Sequence, residues 1–438
     1  MVQVTSNLRV LFWTRRRTAP RGGDQIALEY TIAALRARGV ECDVSNILSQ
    51  DLTPYSLVHL YNLSDPNSAV AYVDRLIDAQ KPFVVTPIYW PHQQWLDART
   101  HATPATNPEF FLGELADEER ALSADVLRAQ ENMARAAHQL VFDAAARIFA
   151  LSNMERDLIS CEFHAAAERL HVTYNGIDPA FQHGDAERFF KAYGLRDFVF
   201  SAARIEERKN TISVIRAWRE ETIPLVLAGN APEADYLALC QHEANANVHF
   251  LGALAPASLA DAYAAARVHI LASWWEEASL SALEAALAGC AIVMTKNSSA
   301  HEYFGDACIL CDPADPPSIH DALRAAYNAP GQTELAAQVR EKFTWGRAVE
   351  TLCTAYHEIA AQPQNFLPYG DASAWKQVSS SLSELLYLRE TYLNTLETQA
   401  RKQAAWAHEL EKMVIAHDSV RARWQPLARL ARKFSPRP

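Results

Sequence analysis

The sequence predicts an α/β protein of two doubly wound, Rossmann-like parallel-sheet units. Three observations carry that expectation. Short apolar, β-branched runs alternate with helical segments along most of the chain, the pattern of a parallel sheet wrapped by helices. The chain opens on a strand, a glycine loop and an amphipathic helix, the corner of a parallel α/β unit that faces phosphate. The alternation then starts afresh after Asn175-Gly-Ile-Asp-Pro179. Two units joined by a turn-rich linker enclose a cleft between facing strand ends.

Composition narrows the class. The 438 residues are enough for two or three domains. A formal net charge of −11 argues against general nucleic-acid binding. No signal peptide or membrane-spanning apolar run is present. The seven cysteines are scattered and odd in number, as expected of reduced thiols in a cytoplasmic protein. Cys308-Ile-Leu-Cys311 has Cys-x-x-Cys spacing, but no second pair completes a zinc site; it reads as a core strand.

Leu8–Trp13 is the first strand. The loop Pro20-Arg-Gly-Gly-Asp24 leads into a helix stopped near Gly39, and Val40–Val44 is the next strand. Gly22-Gly23 is not a Gly-x-Gly-x-x-Gly fingerprint, so a nicotinamide dinucleotide is not expected; a simple tight turn is the plainer reading. Strands are expected at Leu57–Tyr61, Phe83–Thr86, Ala146–Leu151 and Leu170–Tyr174. Between the second and third of these lies Ile88-Tyr-Trp-Pro-His-Gln-Gln-Trp95, an aromatic loop of the kind that serves as a binding element or lid. His92 is a candidate base or hydroxyl ligand, or a surface histidine without a role. In the second unit, strands are expected at Phe198–Ala202, Leu225–Ala228, Val248–Leu251, Val268–Ala272, Ala291–Thr295 and Ala307–Leu310. Past Pro363 an imperfect heptad pattern predicts a helical or coiled-coil tail. The tail ends in a basic, aromatic stretch from Arg421 to Phe434 that is either a disordered tail or a contact with an anionic membrane face.

The chemistry centres on Ala272–Gly289. A buried strand ends at Ala272, Glu276 lies in the loop, and a helix runs from Ser279 to Ala288 with Gly289 as its C-cap. Glu284 follows Glu276 by eight residues, inside that helix. The plain reading is a surface-loop acid and a solvated helix acid. The functional reading is a sugar-binding acid beside a helix end that attracts phosphate. Arg204 leaves the first strand of the second unit, with Lys209 five residues on at the start of a helix. Two cations at a strand edge suit a diphosphate, unless Glu206 and Glu207 merely answer them. No Asp-x-Asp occurs, so the common metal-chelating pair is absent.

Taken in order and spacing, Gly22-Gly23, Asn175-Gly-Ile-Asp178, Arg204…Lys209 and Glu276…Glu284 resemble the retaining glycosyltransferases of family 4, over about residues 8–361. The resemblance implies a GT-B fold: an acceptor domain (1–180), a donor domain (181–362) and a tail (363–438), with the helix at 345–361 crossing back to the first domain. It implies transfer of a sugar from a nucleoside-diphosphate donor to an acceptor hydroxyl, with no metal or other cofactor. Arg204 and Lys209 would hold the diphosphate, Glu276 the donor sugar and Glu284 the ribose. Gly22, Gly23, Asn175 and the backbone at Ala278, Ser279 and Leu280 would complete the donor site. Catalysis is expected from Glu276, Arg204, Lys209 and His92. Expected partners are a nucleotide sugar, a saccharide or lipid-linked acceptor, and a membrane face or second copy through 380–434. Two departures stand out. Glu277-Ala-Ser-Leu-Ser281 replaces the family's glycine- and proline-containing loop, and Thr86-Pro-Ile-Tyr-Trp90 lacks a histidine often found there, leaving Tyr89 or His92 to substitute or the donor phosphate itself to receive the acceptor proton. Surface polysaccharide or glycolipid synthesis is the expected pathway. A non-transferring relative (epimerase or hydrolase) and an inactive scaffold are the alternatives.

Overall fold

The computed structural model describes residues 8–14, 22–102, 107–111 and 134–366. Two six-stranded sheets organise them, and every strand pair in both is parallel. The first sheet runs β2-β1-β3-β4-β5-β6, from β1 (Arg9–Thr14), β2 (Glu41–Ser45), β3 (Leu57–Tyr61), β4 (Phe83–Thr86), β5 (Arg147–Ala150) and β6 (Leu170–Val172). The second runs β12-β11-β10-β7-β8-β9, from β7 (Phe198–Ala202), β8 (Leu225–Ala228), β9 (Val248–Gly252), β10 (Ala266–Leu271), β11 (Ala291–Thr295) and β12 (Cys308–Cys311). Central strands such as β3, β4, β8 and β11 are buried at every position. That is why they read as unbroken apolar runs: helices cover both faces.

Around the first sheet lie α1 (Gly23–Arg36), α2 (Pro66–Asp78), α3 (Gln93–His101), α4 (134–144) and α5 (Asn153–Phe163). The second is covered by α6 (Ala186–Tyr193), α7 (Thr211–Trp218), α8 (Ala234–Glu243), α9 (Pro256–Ala265), α10 (Leu280–Ala288), α11 (Ala300–Phe304), α12 (Pro316–Asn328) and α13 (Thr333–Lys342). Side-chain caps mark several starts. Asp65 accepts from the Asn67 and Ser68 amides at α2, and Ser152 from the Glu155 amide at α5.

The strand orders fix where a ligand belongs. Chain progression reverses at β7, between β8 on one side and β10 on the other. This is the topological switch point of a doubly wound sheet, where ligands bind at strand C-termini. Arg204 follows β7 and Glu276 follows β10, so both leave this point.

The chain then returns to the first sheet. The helix expected from Trp345 is two pieces, α14 (Trp345–Ala348) and α15 (Glu350–Ala361), interrupted at Val349. Val349, Leu352, Ala355, Tyr356 and Ile359 share one core cluster with Val10 and Phe12 of β1. His59 of β3 hydrogen bonds to the Tyr356 hydroxyl and, at 2.9 Å, to Thr86 Oγ1; burial pushes its pKa down to about 3, so the ring is neutral. At the linker, a Cβ on Gly176 would meet the Trp345 nitrogen at 2.4 Å. Glycine there lets α14 lie directly on the linker. Tyr30 of α1 donates to Asp178 at 2.6 Å and stacks on Trp345.

Cys308 and Cys311 are buried at the ends of β12, and burial pushes both thiols up to about 12; the strand itself is the sheet's edge rather than a core strand, with Leu310 exposed between them. Among the described residues no helix is long and apolar enough to cross a membrane. The heptad segment 380–434 and the basic end lie outside the described residues.

Candidate functional site

Two loops at the switch point are stitched together by backbone amides and by two asparagine side chains. The turn Glu207–Lys209 ends at Asn210, which adopts a left-handed φ of 55°. Asn210 Nδ2 donates to the carbonyls of Ala272 (3.0 Å) and Pro313 (2.8 Å), fastening the β7 loop to the end of β10. The Trp274 amide donates to the Arg208 carbonyl at 3.0 Å. On the other side the Glu276 amide donates to the Asn297 carbonyl at 2.9 Å, and Asn297 Nδ2 to the Trp274 carbonyl at 2.9 Å. Glu276 is therefore clamped between the loops after β7 and β11.

Its side chain meets Lys209. Lys209 Nζ donates to Glu276 Oε2 at 2.6 Å, and Ser273 Oγ donates to the same oxygen at 2.9 Å. Both side chains are 12% exposed. Burial works to raise the Glu276 pKa, but Lys209, Arg208 and the Ser273 bond outweigh it, and the net shift is downward. Lys209 is pushed down to about 8 by burial and by Arg208, against the pull of Glu276. Near neutral pH the pair is a carboxylate and an ammonium. Lys209 stands in the turn before α7 rather than at the helix start, and its ammonium is tied to Glu276 instead of standing alone.

Glu284 behaves oppositely. α10 begins at Leu280, one residue later than read, with Ser279 as N-cap, its Oγ accepting from the Ala282 amide; it ends at Ala288 with Gly289 as C-cap at φ 95°, as the sequence implies. Glu284 is buried in that helix, not solvated, and the Tyr263 hydroxyl donates to its Oε2 at 3.0 Å. Burial raises its pKa to about 8, partly offset by Tyr263. The two acids of the motif thus hold different protonation states at one pH, the arrangement by which a site gives two carboxyls two roles.

Arg204 is half-buried, 3.1 Å from Glu206, which also lies 3.4 Å from Arg208. Glu207 answers neither Arg204 nor Lys209. It turns to the first domain, accepting from Trp95 Nε1 at 2.9 Å and Arg99 Nη1 at 2.8 Å. The aromatic segment read as a binding element thus docks, through α3, on the second domain. The His92 ring lies 4.3 Å from Trp275, and Phe110 lies 5.6 Å from Trp274. Buried Glu109 meets Arg216 at 3.2 Å. His92 is thereby one residue from Glu276 through Trp275. Tyr89 is buried, its hydroxyl donating to Glu162 at 2.7 Å, which turns it away from that position.

Asn175 Nδ2 donates to the Ala278 carbonyl at 3.0 Å, so the linker touches the loop before α10. Gly22 is the N-cap of α1 and Gly23 its first residue, at the C-terminal edge of the first sheet. Among the described residues no group of three or more His, Cys, Asp or Glu side chains is placed to hold a metal ion. Sequence reading missed Tyr263, Glu207 as a docking point, and the contact of Glu277 with Ser152. Only Asn210 carried a local signal, since asparagine tolerates the left-handed conformation.

Residues 185–343 match the family described as Glycosyl transferases group 1. No curated protein matches the sequence. Among solved structures, the chain is similar to a sucrose-phosphate synthase from Thermosynechococcus elongatus (15% identity, TM-score 0.61, covering 81% of this chain and 99% of that one). It is similar to a glycosyltransferase from Rickettsia africae (10% identity, TM-score 0.58, 82% and 100% covered). It is also similar to Anabaena HepE in complex with UDP and glucose (17% identity, TM-score 0.52, 82% and 99% covered). The fold is GT-B, and its second domain carries the match to the group 1 glycosyl transferases.

Proposed function

We propose that the protein is a retaining glycosyltransferase that moves a sugar from a nucleoside diphosphate to an acceptor hydroxyl without a metal ion. The observation that carries this reading is the buried Lys209–Glu276 pair at the switch point, with the N-terminus of α10 beside it. The likeness to Anabaena HepE in complex with UDP and glucose supports it.

On this reading Arg204 grips two diphosphate oxygens, and Lys209 offers the donors left after its bond to Glu276. The amides at Ala278–Leu280 add partial positive charge. Glu276 keeps one oxygen on Lys209 and Ser273 and presents the other to donor-sugar hydroxyls. Glu284, neutral and hydrogen-bonded to Tyr263, takes the ribose hydroxyls. The bond from the sugar's anomeric carbon to the diphosphate oxygen breaks and a bond to the acceptor oxygen forms on the same face. The acceptor proton leaves with a diphosphate oxygen or on His92. Cations and helix amides stabilise the departing charge. Gly22 and Gly23 bring the first domain's backbone to the donor, and Asn175 fixes the linker against the loop at Ala278. Surface polysaccharide or glycolipid synthesis is the proposed setting, with residues 380–434 as the contact to a membrane face or a second copy.

Glu276→Ala is the test. It should abolish transfer and leave nucleoside-diphosphate affinity nearly intact, because the diphosphate is assigned to other residues. Near-normal turnover would remove Glu276 from the mechanism, and donor consumption without an acceptor would point to a hydrolase.

A further inference from the structure

The carboxyl of Glu277, next to Glu276, crosses the domain boundary. Ser152 Oγ, at the N-cap of α5 in the first domain, donates to Glu277 Oε1 at 2.6 Å and accepts from the Glu155 amide at 2.9 Å. Glu277 is 7% exposed, and its Oε2 has no hydrogen-bond partner. The backbone is pinned as well: Ser299 Oγ donates to the Glu277 carbonyl at 2.6 Å.

The charged groups facing it are acids. Glu155 comes from α5 and Glu302 from α11. Glu302 reaches over the same boundary, accepting from the Asn153 amide at 2.8 Å and the Tyr174 hydroxyl at 2.5 Å. Tyr303 of α11 donates to the Leu151 carbonyl, and Arg156 of α5 is turned to Asn153 and Asp157. Burial, then Glu155, push the Glu277 pKa well up. A neutral carboxyl fits this setting; an ionised one would face two further acids in a buried seam.

Resting on the transferase reading, we propose that Glu277 is a positioning residue: anchored on Ser152 of the opposite domain, it ties the placement of Glu276 to the docking of the two domains. Glu276 and Glu277 are joined by one peptide and share the loop after β11, Glu276 through Asn297 and Glu277 through Ser299; beyond it their side chains part, Glu276 to Lys209 of its own domain and Glu277 to Ser152 of the opposite one. Undocking the domains removes Ser152 from Glu277 and with it one of the restraints on the segment that carries Glu276.

Three variants of the full chain test this: Glu277→Ala, Glu277→Gln and Ser152→Ala. Turnover of a nucleotide sugar is followed against pH, beside nucleoside-diphosphate affinity and amide hydrogen exchange. Glu277→Ala and Ser152→Ala should each lower kcat by about tenfold or more while the nucleoside-diphosphate Kd stays within about twofold. Glu277→Gln keeps the acceptor oxygen and cannot ionise. It should recover kcat to within about threefold, and should lack the part of the wild-type decline at rising pH that Glu277 ionisation causes. A Glu277→Ala enzyme with wild-type kcat, a Gln variant as impaired as Ala, or affinity falling in step with kcat would overturn the proposal. If the wild-type chain consumes no nucleotide sugar, the transferase reading fails and exchange alone decides. Glu277→Ala should then still speed exchange at residues 274–280 and 152–155 together, with Gln restoring both. Unchanged exchange would overturn the positioning role.

Discussion

Replacing Glu284 by glutamine should make the fold less sensitive to alkali. The carboxyl is buried, and its pKa stands at about 8 in the folded chain against an ordinary 4.5. A raised folded pKa means that the folded state keeps a proton the unfolded state has shed. Between pH 4.5 and about 8 stability therefore falls as pH rises. The 3.5-unit span from 4.5 to about 8 corresponds to about 5 kcal/mol at about 1.4 kcal/mol per unit. The full stability is present below pH 4.5, and most of the loss has accrued by pH 8. Glutamine retains an acceptor for the Tyr263 hydroxyl and has no proton to lose. Urea unfolding of both proteins at several pH values from 5 to 8 reads the effect. The glutamine variant should gain on the wild type by several kcal/mol across that range. Glu155, raised to about 7 by burial, and Glu277 titrate in both proteins and cancel in the difference. Unfolding curves that shift in parallel with pH would show that Glu284 is ionised in the fold and would refute the assignment of two different protonation states to the motif.

Two further outcomes test the site and its frame. Arg204→Ala should weaken nucleoside-diphosphate binding by about 1.5–3 kcal/mol in a calorimetric titration if the guanidinium makes a charge-assisted contact; an unchanged Kd would leave it as the partner of Glu206 alone. Gly176→Ala should cost about 2–3 kcal/mol of stability, because the new Cβ would lie 2.4 Å from the Trp345 nitrogen and 2.6 Å from its ring. Wild-type stability there would mean that α14 gives way at no cost.

What the sequence reveals follows how far apart the interacting residues lie. α10 is legible to within a residue, since Gly289 is a local capping signal and the apolar run before the helix is a buried strand; Ser279, read as its first residue, is its N-cap. The switch point is legible too, because β/α alternation constrains where Arg204 and Glu276 emerge. Electrostatic partners are not. Glu207 stands two residues from Lys209 and reads as its counter-ion, yet it binds Trp95 and Arg99, more than a hundred positions away. Lys209 finds Glu276 across 67 positions, and Ser152 finds Glu277 across 125. Such pairs are set by which loops the two sheets bring to one edge, and nothing in the local pattern encodes them. Glu284 shows the same limit from the other side: its place in a helix is legible, but its burial and its hydrogen bond from Tyr263 of α9 are not. The aromatic stretch near His92 announced a contact without naming the partner, which is the second domain's own Trp274–Trp275 loop.

The central claim is that Arg204, Lys209, Glu276 and Glu284 together hold a nucleoside diphosphate sugar. Calorimetric titration of the full chain with UDP-, GDP- and ADP-sugars, in the presence of a chelator, tests it most directly. The account predicts saturable binding of one of these donors without added metal, weakened by Arg204→Ala, and in Glu276→Ala a weaker grip on the sugar donor with the affinity for its nucleoside diphosphate retained. Absence of binding by every donor and by its nucleoside diphosphate, even at millimolar concentration, would contradict it.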